Sequence, residues 1–212
     1  MTTKDCVEPF MPHFFNEALA PNFYFDSHFN IDAVKILPGE YYVTVRPMLI
    51  VTVLGSCVAA CIRDKVNGIG GMNHFMLPSV SDPEESFNAS SRYGTRAMEV
   101  LTGQLLEMGA QRKHLEAKIF GGGNLLKNFT VAKVGERNSA FVRNYLQHEQ
   151  IPIVAEDLLD VYPRKIYFFP AQGKVLVKKL IRQHNDTIIQ REQEHSIRLS
   201  NKRDVSDDVD LF

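Results

Sequence analysis

At 212 residues the chain is long enough to bury a full hydrophobic core, and one domain is the expected count. A net charge of -1 and a pI near 6.7 exclude a reader of nucleic acid or of an anionic membrane surface. Three cysteines at irregular spacing are no disulfide framework and point to a reducing cytoplasm.

The opening decapeptide, MTTKDCVEPF, has neither the basic start nor the apolar stretch of a secretory signal. Residues 1–34 read as an N-terminal extension, rich in aromatics (Phe10, Phe14, Phe15, Phe23, Tyr24, Phe25, Phe29) that predict packing onto the domain. Cys6, His13 and His28 match no zinc-ligand spacing, so no metal is expected there. From Gly39 the pattern turns to strands, first over Tyr41 to Arg46 and then, after Pro47, over Leu49 to Leu54. The longest apolar run, Leu49 to Ile62, is too short and too interrupted to cross a bilayer, and no membrane insertion is expected.

Within that run the β-branched pattern breaks at Gly55-Ser56-Cys57 and resumes as Val58-Ala-Ala-Cys-Ile. A glycine in a strand pattern marks a bulge or a close backbone approach. Asn67-Gly68 favours a tight turn into a second apolar run, Ile69 to Leu77, which carries His74. A hairpin about that turn brings Cys57 within hydrogen-bond reach of His74. An unperturbed thiol is mostly protonated at neutral pH, and a neighbouring imidazole that takes its proton makes the nucleophilic thiolate. This pair is the minimum kit for acyl transfer without metal or organic cofactor. The plainer reading is that a cysteine packs as a small hydrophobe. It suits Cys61, which lies deeper in the Val/Ala/Ile run, better than Cys57 beside the Gly-Ser break.

Ser79 to Ser91 (SVSDPEESFNASS) is polar and aperiodic and predicts a mobile surface loop bordering the site. Arg92 to Gly109 predicts a helix with Ala97, Leu101, Leu105 and Met108 on one stripe and Gly109 at its end. Leu115 to Phe120 predicts a strand running into Gly121-Gly122-Gly123. With no Gly-Lys-Ser/Thr following, those glycines signify backbone crowding at a sheet end rather than a phosphate cradle. Asn138 is placed to cap a helix from Ser139 to His148. Ile151 to Val154, Arg164 to Phe169 and Lys174 to Lys179 predict further strands, and residues 191–212 a charged, disordered tail. Short strands with two clear helices make an α+β domain.

Several of these segments, in order, resemble the CheD family, the chemoreceptor glutamine deamidases of bacterial chemotaxis. They are LGSCVAACIRD (54–64), GGMNHFMLP (70–78), KIFGGGN (118–124), NSAFVRNYL with IPIVAEDL (138–158), and PRKIYFFPAQGKVLVKKL (163–180). The resemblance covers roughly residues 35–190, which it marks as the deamidase domain. It implies a layered sandwich of packed mixed β-sheets flanked by helices, shared with certain bacterial toxin deamidases. It also implies hydrolysis of glutamine side-chain amides to glutamate on methyl-accepting chemotaxis receptors, with ammonia released through a thioester. Carried onto matching positions, it makes Cys57 the nucleophile, His74 the base and acid, and Thr52 a third active-site residue. The backbone around Gly55 and Ser56 is the expected oxyanion site. Some family members also have a chemotaxis phosphatase partner, and an alternative role is that of a non-catalytic adaptor docking on receptors or on that phosphatase.

Overall fold

The computed structural model describes residues 22–78, 83–124, 134–181 and 186–204. Among the described residues ten strands form two five-stranded mixed sheets. In the first, β1 (Asn22–Asp26), β2 (Ile31–Lys35), β4 (Leu49–Leu54), β9 (Arg164–Phe169) and β10 (Lys174–Lys179) lie in that spatial order. The second runs β3 (Tyr41–Thr44), β6 (Gly70–Asn73), β5 (Val58–Asp64), β7 (Leu115–Gly121) and β8 (Ile153–Leu158). Most neighbours are antiparallel, whereas β2 with β4 and β7 with β8 run parallel.

Strand β5 shows why the sheets stack. Side chains alternate faces along a strand. Val58, Ala60 and Ile62 face a cluster with Met98 and Leu101 of helix α1 (Pro83–Glu107) and Val142 and Leu146 of helix α2 (Val134–His148). Cys57, Ala59 and Cys61 face the other way, into a core shared with Ile50, Leu54, Ile166 and Phe168 of the first sheet. Buried on both faces, β5 needs the continuous apolar run that the sequence has there. The layers are therefore helices, second sheet, first sheet, and the α+β sandwich expected from the sequence is the fold observed.

The Asn67-Gly68 hairpin forms as expected, with Gly68 at φ 70°, and pairs Cys61 with Met72. The buried Asp64 carboxylate holds the turn by accepting from the Val66 and Asn67 amides and, across the fold, from that of Gln111.

Five expectations are corrected. Residues 22–34, assigned to the N-terminal extension, contribute two paired strands to the first sheet; residues 1–21 lie outside the described residues. Of the expected loop, residues 79–82 likewise lie outside them, and residues 83–91 belong to α1. Pro83 followed by Glu84-Glu85 is a helix-start signal, because proline at the first helical position loses no hydrogen bond and acidic groups suit the positive end of the helix dipole. Met98, not Met108, lies on the buried stripe of α1; Met108 is exposed near its end. Helix α2 starts at Val134, which puts Asn138 inside it rather than at its cap. Of the expected tail, residues 191–204 belong to helix α3 (Asp186–Asp204), and residues 205–212 lie outside the described residues. Among the described residues no helix is long and apolar enough to cross a membrane.

Candidate active site

Strand β4 ends at Leu54 in the first sheet and β5 begins at Val58 in the second, so Gly55-Ser56-Cys57 is the link by which the chain crosses between layers. The carbonyls of this link are all engaged on one side. Gly55 O accepts from Gly123 N at 2.7 Å, Cys57 O from Gly122 N at 2.8 Å, and Ser56 O from Asn138 Nδ2 at 2.8 Å. A trans peptide points its N–H opposite to its C=O. Tying down the Gly55 and Ser56 carbonyls therefore turns the Ser56 and Cys57 N–H groups to the other side, where that of Gly55 joins them.

All three N–H groups meet one carboxylate. Glu192 of α3 accepts from Gly55 N (2.9 Å) and Cys57 N (3.1 Å) on Oε1, and from Ser56 N (2.8 Å) and the Ser56 hydroxyl (2.6 Å) on Oε2. Consecutive backbone N–H groups converging in this way form a pocket for a negatively charged oxygen. The glycine run makes the close approach possible. Gly121 has φ 109°, and a Cβ there would lie 2.2 Å from the Cys57 carbonyl oxygen. The backbone crowding expected for this glycine run is thus present, and the element it crowds is the cysteine link.

His74 follows β6 directly and is held by backbone hydrogen bonds on both sides, from Gly39 N to its carbonyl and from its own N–H to Glu40 O. Asn138 ties the next segment to the cysteine link, since its Oδ1 accepts from Leu77 N while its Nδ2 donates to Ser56 O. The His74 ring meets Thr52 of β4, with Nδ1 2.7 Å from Oγ1. That hydroxyl also donates to Ile36 O at 2.8 Å. A hydroxyl has one proton and a carbonyl can only accept, so Thr52 spends its proton on Ile36 and accepts from His74 Nδ1–H. This assigns the tautomer and leaves Nε2 bare, buried and without a hydrogen-bond partner among the described residues. Cys57 Sγ, a His74 ring nitrogen and a Glu192 carboxylate oxygen all lie within 4.8 Å of one another.

Burial and neighbouring charge set the electrostatics of the pair. Burial pushes the Cys57 thiol well up, and the charge and hydrogen bond of the adjacent Glu192 carboxylate add to it. Burial, with a smaller contribution from His195 on α3, pushes the His74 imidazole down to about 3. Both groups are neutral here, thiol and imidazole rather than ion pair. The same three side chains present one thiol, one imidazole and one carboxylate to a common point. Both carboxylate oxygens, however, are already oriented by two donors each, which is the arrangement of an anion in an N–H pocket rather than of a metal ligand.

Every residue singled out from the sequence lies at this junction: Thr52, Gly55, Ser56, Cys57 and His74. Thr52, and not Ser56, touches the imidazole, while the Ser56 hydroxyl bonds Glu192 and lies 3.8 Å from Met76 Sδ. Cys61 sits in the inter-sheet core, its thiol pushed up by burial. Sequence reasoning missed Glu192 and Asn138. Asn138 carried a signal, a polar residue in line with the apolar positions of a helix; Glu192, in a charged run, carried none.

The profile of the family described as CheD chemotactic sensory transduction matches residues 76–179. The probable chemoreceptor glutamine deamidase CheD of Thiobacillus denitrificans is 61% identical over 197 residues, 92% of this chain and 97% of its own length. Proteins of the same name from Methylobacillus flagellatus (60% over 198 residues, 92% and 97%) and Herminiimonas arsenicoxydans (57% over 203 residues, 95% and 100%) are similar to nearly the same extent. Matches this long leave too little of the chain uncovered to miss either residues 52–74 or Glu192. On this likeness the chain belongs to the CheD family.

Proposed function

We propose that the chain is a protein-glutamine deamidase, hydrolysing glutamine side-chain amides of chemoreceptors to glutamate through a Cys57 thioester. The observation that carries this reading is the convergence of a thiol, an imidazole with a free Nε2 and three backbone N–H groups on the carboxylate of a glutamate. That carboxylate is the group the reaction would produce.

In this scheme Cys57 Sγ attacks the amide carbon as its proton passes to His74 Nε2. The oxyanion accepts from the Gly55, Ser56 and Cys57 N–H groups, where one such donor is typically worth about 10² to 10³ in rate. Thr52 Oγ1 accepts from Nδ1–H throughout and steadies the imidazolium, the orienting role a carboxylate has in other triads. His74 then gives the proton to the departing nitrogen and ammonia leaves. The imidazole next deprotonates a water that cleaves the thioester, releasing glutamate and restoring the thiol. The adaptor role, on a receptor or on a chemotaxis phosphatase, gives no reason for the Thr52–His74 bond or for three N–H groups aimed at one point.

The test is mass spectrometry of co-expressed receptor cytoplasmic fragments. One-dalton gains at specific glutamines are expected with the wild-type chain and none with Cys57→Ala. Equal gains in the two would remove Cys57 from the reaction.

A further inference from the structure

Helix α3 meets the rest of the fold through a few side chains, of which Glu192 is the most buried among the described residues. Most of its described residues are exposed, including Gln190, Arg191, Gln193, Glu194 and Ile197. Among the described residues no strand or other helix packs broadly against it. Yet Glu192 is 8% exposed, with its carboxylate in the N–H pocket beside Cys57, and Ile188 lines a cleft with Ile36, Val53, His74 and Glu192. A buried carboxylate is costly unless it is fully hydrogen-bonded. Here four donors from the Gly55-Ser56-Cys57 link satisfy it.

We propose that α3 is an internal product mimic, an intramolecular helix whose Glu192 occupies the place of the glutamate formed by the reaction and closes the site until a substrate segment displaces it. The inference rests on the deamidase reading for what the mimic resembles, and on geometry alone for the closure. A helix carries Glu192, so the pocket accepts a side chain projected from helical backbone. Tethering gives such a ligand an effective concentration in the millimolar range, which a substrate has to outcompete. Cys57 is fully buried in this arrangement, so nothing reaches its sulfur while Glu192 stays.

The experiment uses the full-length protein as wild type, Glu192→Ala and, as control, Glu194→Ala on the exposed face of the same helix. Two rates are read: alkylation of Cys57 by iodoacetamide, followed by peptide mass, and deamidation of receptor fragments. In Glu192→Ala alkylation is expected to rise roughly tenfold or more, the order of a tethered competitor's occupancy, and deamidation to rise with it; Glu194→Ala leaves both unchanged. Alkylation of Glu192→Ala at the wild-type rate would overturn the closure. Faster alkylation with no receptor glutamine converted by any variant would instead sink the deamidase reading and leave the closure standing. Should Glu192→Ala fail to fold, Glu192→Gln delivers a substrate amide to Cys57 at almost unchanged shape. The amide introduced by Glu192→Gln is then expected to gain one dalton, and to persist unconverted in the Cys57→Ala background. A folded Glu192→Gln chain that converts receptor glutamines but never its own would overturn the mimic.

Discussion

The site has two halves built to different standards. Thr52, Cys57 and His74 come from the two packed sheets and the link between them, and each is at most 2% exposed. Glu192 comes from a polar helix whose described side chains mostly face water. Groups that must keep their mutual geometry through bond making gain from the rigidity of a sandwich core. An element that has to leave belongs at the weakly packed end of the stability range. Under the two proposals above, the rigid half carries the chemistry and the polar helix controls access.

Substitutions can break that contrast, beginning with the strongest. Cys57→Ala and His74→Ala should each lower receptor deamidation by about 10³-fold or more, as losses of a nucleophile or its base commonly do. Intact-mass assays of receptor fragments measure this, and substantial activity in either would dissolve the strand-borne half. Next comes Thr52→Val, which keeps the shape but removes the acceptor for Nδ1–H. A fall of about 10- to 100-fold in kcat with KM little changed is expected, given the usual 10²- to 10⁴-fold worth of a well-placed acid-base group. Thr52→Ser should restore most of the rate; no recovery would mean that the methyl, not the hydroxyl, matters.

Gly121→Ala tests the support beneath the link. Positive φ and the clash with the Cys57 carbonyl predict a loss of about 1–3 kcal/mol in urea unfolding. An unchanged midpoint would show that the link yields easily. The smallest effect is a pH slope. With His74 held near 3 in the folded chain against an ordinary 6.5, the unfolded chain binds the extra proton between those values. Its contribution to stability is complete above about pH 6.5 and is lost as pH falls toward 3, at up to about 1.4 kcal/mol per pH unit. Relative to wild type, His74→Gln should flatten that acid limb in urea midpoints taken from pH 7 to pH 4.5; parallel curves would contradict it.

Much of this was legible in the residues. The Gly-Ser break, the Asn67-Gly68 turn and the period of β5 are local signals, and local signals specify a hairpin and the place of a thiol at its mouth. Helix starts were misplaced at Pro83 and at Val134, for different reasons. At Pro83 the N-terminal proline signal was outweighed by polar composition. At Val134 a buried asparagine imitates a cap, because asparagine serves equally well as a bond to distant backbone. Glu192 was beyond reach, since its partners lie about 135 residues away in sequence. A glutamate that folds back into a core looks, in a charged run, like one that does not.

Asn138 has a mechanical consequence. With one amide it grips Ser56 on the link and Leu77 beyond the histidine, and the Val58–Phe75 pair of backbone bonds lies between those grips. Sulfur and imidazole thus ride on a single clamped loop pair, so thermal opening releases both or neither. Deuterium uptake at the Val58, Phe75 and Leu77 amides should rise together as one cooperative unit.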